Sequence, residues 1–508
     1  MFDVQCRQNR RFIMYPTLEA VMEIAAEGSY GRIPVAEEMY ADRFTPVEVM
    51  RTLRAASRHC YLLESAENNQ KWGRYSFMGY SPVMEITCND GEMTVTTGAE
   101  DGCKEKSVIK TRHPKKAVRE ILKKYKSPRL PDMPNFTGGL VGYFSYDYIR
   151  YAEPTLQNNG RMETDFRDMD LMLFDKVIVF DHYRQKIILI AGVDTSDIEG
   201  SYVKAGQELQ EMKRLLNSGA RADIRPFKMQ GELTPEYPKE KYCEMVEKAK
   251  HYIHEGDIFQ VVLSDPMTVP ATGSLFDVYR VLRTTNPSPY MFYFSSDDIE
   301  IAGASPETLA HLENGVLHTF PLAGTRPRGK TDEEDKRLEQ ELLADKKERA
   351  EHNMLVDLGR NDLGKVSCLG SVHVEKYMEI ERFSHVMHIG STVSGLIRPD
   401  RDAMDAMDSI LPAGTLSGAP KIRACEIIDE LEDRKRGIYG GAVGYLDFAG
   451  NMDTCIAIRL AYKKDGVVCV QSGAGIVADS IPENEFMECQ NKARAVTNAL
   501  KMAEEGLD

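Results

Sequence analysis

The chain has 508 residues, 42 % of them hydrophobic and 28 % charged, which is enough apolar material for a large core and argues against disorder. With 64 Lys and Arg against 79 Asp and Glu the net charge is −15, so no overall basic field favours nucleic acid or an anionic membrane surface, and an anionic substrate needs a local device. The ten cysteines include no Cys-x-x-Cys pair, which fits neither zinc nor a disulfide framework and points to a reducing cytoplasm. No apolar run approaches the roughly 18 residues of a membrane span.

At the start, Asp3, Gln5 and Arg7 stand where a signal peptide needs an apolar stretch. Met14-Tyr-Pro-Thr-Leu-Glu19 is a more typical opening, so residues 1–13 are expected to be an upstream extension or a mis-called start. Four short alternating segments, Tyr61–Ser65, Arg74–Gly79, Val83–Thr87 and Met93–Thr97, predict a β-meander punctuated by Asn, Asp and Gly. Lys116–Tyr125 predicts a helix, Gly138–Tyr148 a strand, and Leu171–Phe180 with Lys186–Ala191 a hairpin. The polar stretch 218–238, with Pro226, Pro235 and Pro238, is expected to link a domain at 17–217 to one at 239–503.

Beyond it, Lys239–Glu255 predicts a helix stopped by Gly256, Phe259–Leu263 a strand and Leu275–Thr284 a helix. Thr331-Asp-Glu-Glu334 reads as a capping box opening one long charged helix to about Leu358. Ser480-Ile-Pro-Glu483 reads as a second, opening a helix to about Ala503. No internal repeat points to a solenoid or propeller.

Glu348 and Glu351 on one predicted helix, and Glu485 and Glu488 on the other, are spaced i, i+3, so each helix presents two carboxylates on one face. Such pairs ordinarily decorate solvated faces. Here the flanks His352 to Leu358 and Phe486-Met487 are apolar enough to bury them, and a buried carboxylate must be paired or bound to metal. Oxygen-only ligands suit Mg2+, which keeps waters and leaves room for a substrate carboxylate. Glycine-rich segments recur at Pro321–Arg326, Pro412–Gly418, Tyr439–Gly444 and Gln471–Gly475; they read as tight turns whose backbone N–H groups can approach an anion. Arg459, within Cys455–Ala461, which reads as an apolar strand, needs an anionic partner, which a substrate carboxylate or a structural Asp would supply.

From about Thr17 to Leu500 the chain resembles the anthranilate synthase component I family of chorismate-utilising enzymes. The motifs that carry the likeness are Leu62–Ser65, Trp72–Ser76, Gly256–Gln260, Asn286–Phe292, Ala304–Glu307, Pro321–Arg326, Glu348–His352, Val386–Ile389, Pro412–Pro420 and Gln471–Glu488. Asp265-Pro266 departs from the pattern at what reads as a strand end.

The resemblance implies a two-domain α/β fold of the α+β type, with facing antiparallel sheets and outer helices. It implies Mg2+ held at Glu351 and Glu488, with Glu348 and Glu485 acting through waters. It implies an acid at Glu307 protonating the departing 4-hydroxyl of chorismate, and His388 removing the C2 proton in the step that releases pyruvate; His385 has no such match. Thr415 joins them as a catalytic position. Gly324, Thr325, Tyr439, Arg459, Gly473, Ala474, Gly475 and Lys492 match substrate-binding positions. A tryptophan inhibitor pocket is implied at Glu64, Ser65, Asn286, Pro287, Ser288, Pro289, Tyr290, Met291, Val443 and Tyr445.

Two positions discriminate among relatives. In aminodeoxychorismate synthase component I, the alternative reading, a nucleophilic Lys stands where this chain has Ala323; in isochorismate synthases a Lys base stands where it has Gln260. Alanine forms no covalent intermediate and an amide accepts no proton at neutral pH, so both point to amination at C2. No cysteine lies in the Gly-rich elbow that a glutamine amidotransferase needs. Ammonia from glutamine is therefore expected to come through a partner subunit, the family's component II.

Overall fold

A computed structural model describes residues 14–66, 73–98, 104–156, 166–383 and 386–507. The expected extension at residues 1–13, with Trp72, Cys103 and His385, lies outside the described residues. Two large antiparallel sheets form the centre. The first runs in space from Arg32–Tyr40 through Lys186–Asp194, Val177–Asp181, Tyr75–Tyr80 and Cys60–Glu64 to Tyr290–Ser295, Ile299–Ser305, Leu460–Lys464, Val467–Ile476 and Gln260–Thr272. The second runs from Leu322–Pro327 through Val386–Leu396, Val316–Thr319, Thr308–Glu313, Met452–Ile456 and Ala442–Asp447 to Gly139–Phe144, Met169–Phe174, Met84–Asn89 and Glu92–Thr97.

The sheets face each other across an aromatic-rich core in which Tyr61, Phe77 and Phe292 of the first meet Tyr143, Phe174 and Val443 of the second. Outer helices complete four layers. Pro46–Ala56, Ile198–Asn217, Phe276–Thr285 and Pro482–Glu505 bury Leu53, Leu209, Phe276 and Leu500 on the first sheet. Pro114–Lys124, Lys346–Gly364 and Ala403–Ile410 bury Val118, Val356 and Met404 on the second. Covered on both sides, Met169–Phe174 is buried at every position, and its one charged residue, Asp170, is paired with Arg167 at 2.6 Å. Segments on both sides of residues 218–238 supply strands to both sheets.

Several elements differ from the sequence reading. The expected meander splits: Cys60–Glu64 pairs with Tyr75–Tyr80 and Met84–Asn89 with Glu92–Thr97, but the chain changes sheets between the two pairs, at Ser81, whose φ is +49°. The expected hairpin strand Leu171–Phe180 splits likewise, and only Val177–Asp181 pairs with Lys186–Asp194. Alternation reports which face is buried and is silent about the neighbour. Gly139–Phe144 ends as a strand, and Tyr146–Tyr148 is a 3-10 turn.

The long charged helix is two. Asp345 interrupts it and restarts it as Lys346–Gly364, its carboxylate accepting the N–H groups of Lys347 at 3.0 Å and Glu348 at 3.3 Å. Thr331 caps as expected, accepting from Glu334 N–H at 3.3 Å, while the Glu334 carboxylate turns to Lys330 N–H at 2.8 Å. The box at Ser480 does not form: its hydroxyl accepts from Val477 N–H at 3.0 Å, and the helix begins at Pro482 without a side-chain cap. Pro266 lies inside Gln260–Thr272 rather than at a strand end, opposite Gln471 in an unbroken ladder.

Phe174 is 1 % exposed and meets Tyr61 edge-on at 4.7 Å between the sheets. Phe174→Ala should cost about 3 to 5 kcal/mol through lost burial and the cavity left behind, read as a fall in the urea unfolding midpoint; a parent-like midpoint would show that this core does not hold the sheets together.

Candidate active site

A cavity of about 600 Å³ opens where the last strand of the first sheet, the edge of the second, and two helices meet. Val467–Ile476 lies beside Gln260–Thr272 with Gly475 opposite Val262 and Gly473 opposite Ser264. These glycines keep the floor open: a Cβ at Gly473 would stand 2.9 Å from the Tyr439 hydroxyl, and one at Gly475 2.6 Å from Gln260 Nε2. The helix Pro482–Glu505 follows and brings Glu485, Glu488 and Lys492 to the wall, while Lys346–Gly364 brings Lys347, Glu348 and Glu351. Leu322, Ala323, Gly324 and Thr325 close one side; at Gly324, with φ +66°, a Cβ would press on Leu342 at 2.9 Å and Glu348 at 3.1 Å.

Glu307 follows the strand Ile299–Ser305 into this cavity, and Thr415 Oγ1 donates to its Oε2 at 3.2 Å. Desolvation pushes the Glu307 carboxyl upward, against the pull of Arg459, the Thr415 hydroxyl and Lys492. Arg459 is not inside a strand as expected. It occupies the bend between Met452–Ile456 and Leu460–Lys464 with φ +51°, and its hold on the proton is weakened by desolvation, with Glu307 opposing that shift. Glu307 acts on it only through its charge, without a direct ion pair, so the guanidinium is open to an incoming carboxylate.

His388, on Val386–Leu396, is pushed downward by desolvation, opposed by its bond to Gly324 and reinforced by Arg459. Its Nδ1 lies 2.8 Å from the Gly324 carbonyl and 3.1 Å from Thr325 Oγ1. A carbonyl only accepts, so Nδ1 carries the proton and Nε2 keeps the lone pair that a base needs. Phe383 stands edge-on to the ring at 5.5 Å.

Burial, then the neighbouring Glu348, pushes the Glu351 carboxyl up; burial does the same to Glu485, opposed by Ser480. This is an all-oxygen donor set under mutual repulsion, which fits a hard divalent cation. Cations of the chain stand near it, Lys492 on Glu488 at 2.8 Å and Arg326 by Glu348 at 3.5 Å. Among the described residues no three ligand-type groups are already gathered around one point, so an ion there would draw its ligands in or reach them through water.

All the expected catalytic, substrate and metal positions line the cavity except Ala474, which is fully buried on the other face of its strand among Val261, Leu263 and Cys489. Gln471–Gly475 is strand rather than turn. Lys347 was missed because, in a run of charges, it looks like any solvated residue.

A second, smaller cavity of about 70 Å³ lies between the sheets and is lined by Glu64, Ser65, Pro289, Tyr290, Met291, Val443 and Tyr445, with Phe77, Asp453 and Cys455. Asn286, Pro287 and Ser288 are not in its lining. Glu64 is already engaged by Arg283 Nε at 2.9 Å, the Tyr279 hydroxyl at 2.5 Å and Ser76 Oγ at 3.1 Å.

The profile of the family described as chorismate binding enzyme matches residues 58–498. The chain is 46 % identical over 510 residues to the anthranilate synthase component 1 of Acetivibrio thermocellus, covering 97 % of this chain and 100 % of that one. It is 45 % identical over 500 residues to that of Pseudomonas aeruginosa, covering 96 % and 99 %. Its structure is similar to the crystal structure of anthranilate synthase component I from Streptococcus pneumoniae TIGR4, with a TM-score of 0.71 at 41 % identity over 84 % of this chain and 92 % of that one. The menaquinone-specific isochorismate synthase of Escherichia coli shares the fold, with a TM-score of 0.68 at 17 % identity over 95 % and 98 %.

Thr415→Val removes the donor that favours the ionised form of Glu307, so the carboxyl should titrate at higher pH. The protonated-carboxyl band in infrared difference spectra reads this directly; an unmoved midpoint would mean that Thr415 does not govern Glu307.

Proposed function

Because this chain belongs to the chorismate-binding enzyme family, we propose that it converts chorismate and ammonia to anthranilate and pyruvate as an anthranilate synthase component I. The observation that carries the reading is one cavity holding a carboxyl pushed toward its protonated form, Glu307, opposite an imidazole pushed toward its neutral form, His388, with Arg459 beside them.

Arg459 and the Tyr439 hydroxyl bind the enolpyruvyl carboxylate, with Gly475 N–H as a further donor. As ammonia bonds to C2, the two ring double bonds move from C1=C2 and C5=C6 to C1=C6 and C4=C5, the C4–O bond breaks, and Glu307 delivers the proton that lets the oxygen leave as water, while the new ammonium gives up a proton to solvent. His388 Nε2 then takes the C2 proton; those electrons aromatise the ring as the C3–O ether bond breaks, and the departing enolpyruvate takes a proton from solvent to become pyruvate. Mg2+ held between Glu348 and Glu351 on one helix and Glu485 and Glu488 on the other would act as a Lewis acid on the ring carboxylate. Ala323 and Gln260 both line the cavity, where a nucleophilic Lys or a Lys base would be needed for amination at C4 or for hydroxylation.

The smaller cavity supports tryptophan inhibition. Its wall residue Tyr290 pairs with Ser305, two residues before Glu307, and its hydroxyl lies 2.9 Å from both Thr308 and Asp453. Val443 follows Tyr439, and Cys455 precedes Arg459, on paired strands. An amino acid that enlarges this cavity and takes Glu64 from Arg283 would shift substrate-binding residues without touching substrate.

Purified chain with chorismate, Mg2+ and ammonium at alkaline pH should produce anthranilate fluorescence, and should leave glutamine unused until an amidotransferase subunit is added; product from glutamine with the single chain would overturn the two-subunit donor. Glu351→Gln and Glu488→Gln should stay folded, lose turnover and lose the heat of Mg2+ binding in calorimetry, and full activity in either would overturn the metal assignment. Ser65→Phe should fill the smaller cavity and relieve tryptophan inhibition with uninhibited turnover kept; equal sensitivity of variant and parent would place the inhibitor elsewhere.

A further inference from the structure

Arg436 and Glu432 are 2 % and 1 % exposed and face each other at the end of the helix Lys421–Glu432. Neither lines the catalytic cavity. The guanidinium grips the Glu432 carboxylate with two nitrogens, Nε at 2.8 Å and Nη2. Its remaining donors leave the pair. Nη1 donates to the carbonyl of Leu416 at 2.7 Å, and Nη2 also donates to the carbonyl of Val262 at 2.6 Å. Glu432 Oε1 in turn accepts from Ser264 N–H at 2.8 Å and from Ser264 Oγ at 3.0 Å, and Gln471 Nε2 donates to that hydroxyl at 2.9 Å. The guanidinium carbon lies 4.6 Å from the Tyr146 ring centroid and 5.9 Å from that of Tyr439.

Each group reached by this pair belongs to a wall of the cavity or adjoins one. Val262, Leu416, Tyr439 and Gln471 line it, and Leu416 follows Thr415, the donor to Glu307. Burying an ion pair is a poor route to stability, since apolar residues of the same volume serve as well or better. What a buried, fully bonded fork supplies is fixed geometry. The pairing with Glu432 also cancels the Arg436 charge, so a substrate carboxylate meets Arg459 without a competing buried cation.

We propose that Arg436, held by Glu432, is a positioning residue of this enzyme, locking the strand at 262–264, the turn at 415–416 and the Tyr439 ring into one arrangement around the substrate. The proposal rests on the assignment of the cavity to the reaction. Lysine cannot replace the fork, because its three donors radiate from one atom and cannot hold Glu432 and both carbonyls at their separate places.

The test uses the full chain with Mg2+ and ammonium as donor. Arg436→Lys should raise the chorismate KM fivefold or more and should move the Glu307 limb of the kcat pH profile upward, because the turn that presents Thr415 is loosened. A fall in kcat alone, with parent KM and parent pH profile, would report fewer folded molecules and overturn the proposal. Should Arg436→Lys fail to fold, Ser264→Ala decides: it removes a single hydroxyl of the network and should raise KM at least twofold, and a parent-like KM and profile would overturn the proposal. Arg459→Lys separates this failure from that of the cavity assignment. If Arg459→Lys is impaired while Arg436→Lys and Ser264→Ala are parent-like, only the positioning role falls; if Arg459→Lys is parent-like too, the cavity is not the chorismate site and both fall.

Discussion

Enclosing Glu307 and Arg459 in the same cavity is the constraint on which the remaining chemistry depends. Desolvation weakens both charges, and each is the other's nearest remedy. On the proposed reading, a substrate carboxylate that takes Arg459 offsets the cation that opposes the upward shift of Glu307, so binding would drive that carboxyl further toward its protonated form. The same exclusion of water pushes His388 toward its neutral form, and the Gly324 carbonyl fixes which nitrogen is free. One environment would thus suit the proposed acid and the proposed base alike, because desolvation favours the neutral form of each.

The scaffold makes this arrangement stiff on one side and deformable on the other. On the stiff side, Gln260–Thr272 and Val467–Ile476 share a ten-position ladder, and the buried Glu432–Arg436 pair ties it to the turn at Leu416. On the other side, Tyr439 and Arg459 flank the open end of a hairpin whose nearby pair, Val443 and Cys455, lines the small intersheet cavity. A core packed at crystalline density does not yield continuously. On the proposed reading, a ligand that opens that cavity would displace the hairpin there and pass the displacement to the residues at its open end.

How much of this the sequence disclosed follows from what each signal measures. Helices with local signals were legible: Thr331 caps where Thr-x-x-Glu predicts, and the glutamate pairs Glu348/Glu351 and Glu485/Glu488 do share one cavity. Asp345 was not read as a break, because Asp inside a charged run carries no apolar signal, and its capping bonds exist only once the chain has turned. Ser480 satisfied the capping pattern and still accepts from Val477 instead, since Pro482, with no N–H of its own, lets the helix begin without a side-chain acceptor. Strands were found where alternation or apolar runs mark them, but their assignment to sheets was not, because Tyr75–Tyr80 and Met84–Asn89 look alike in sequence and belong to different layers. That Glu307, His388 and Thr415 share one cavity was legible only through family likeness; spacing alone would have left them as unremarkable neighbours of Pro, Met and Gly.

Long-range assembly is also why glycine, more than any charged residue, sets the shape of the site. The groups that act come from segments as far apart as Gln260 and Lys492, and none is placed by its own element alone. What lets these segments approach is the missing side chain at three points: Gly473 beneath the Tyr439 hydroxyl, Gly475 beneath the Gln260 amide, and Gly324 against Glu348. At Gly324 the backbone also adopts φ +66°, which turns its carbonyl toward His388. One residue there combines a left-handed turn, close contact with the Glu348 carboxylate, and control of the His388 tautomer. A side chain at that position would disturb all three together, so the placement of His388 and Glu348 is coupled through a residue with no chemistry of its own.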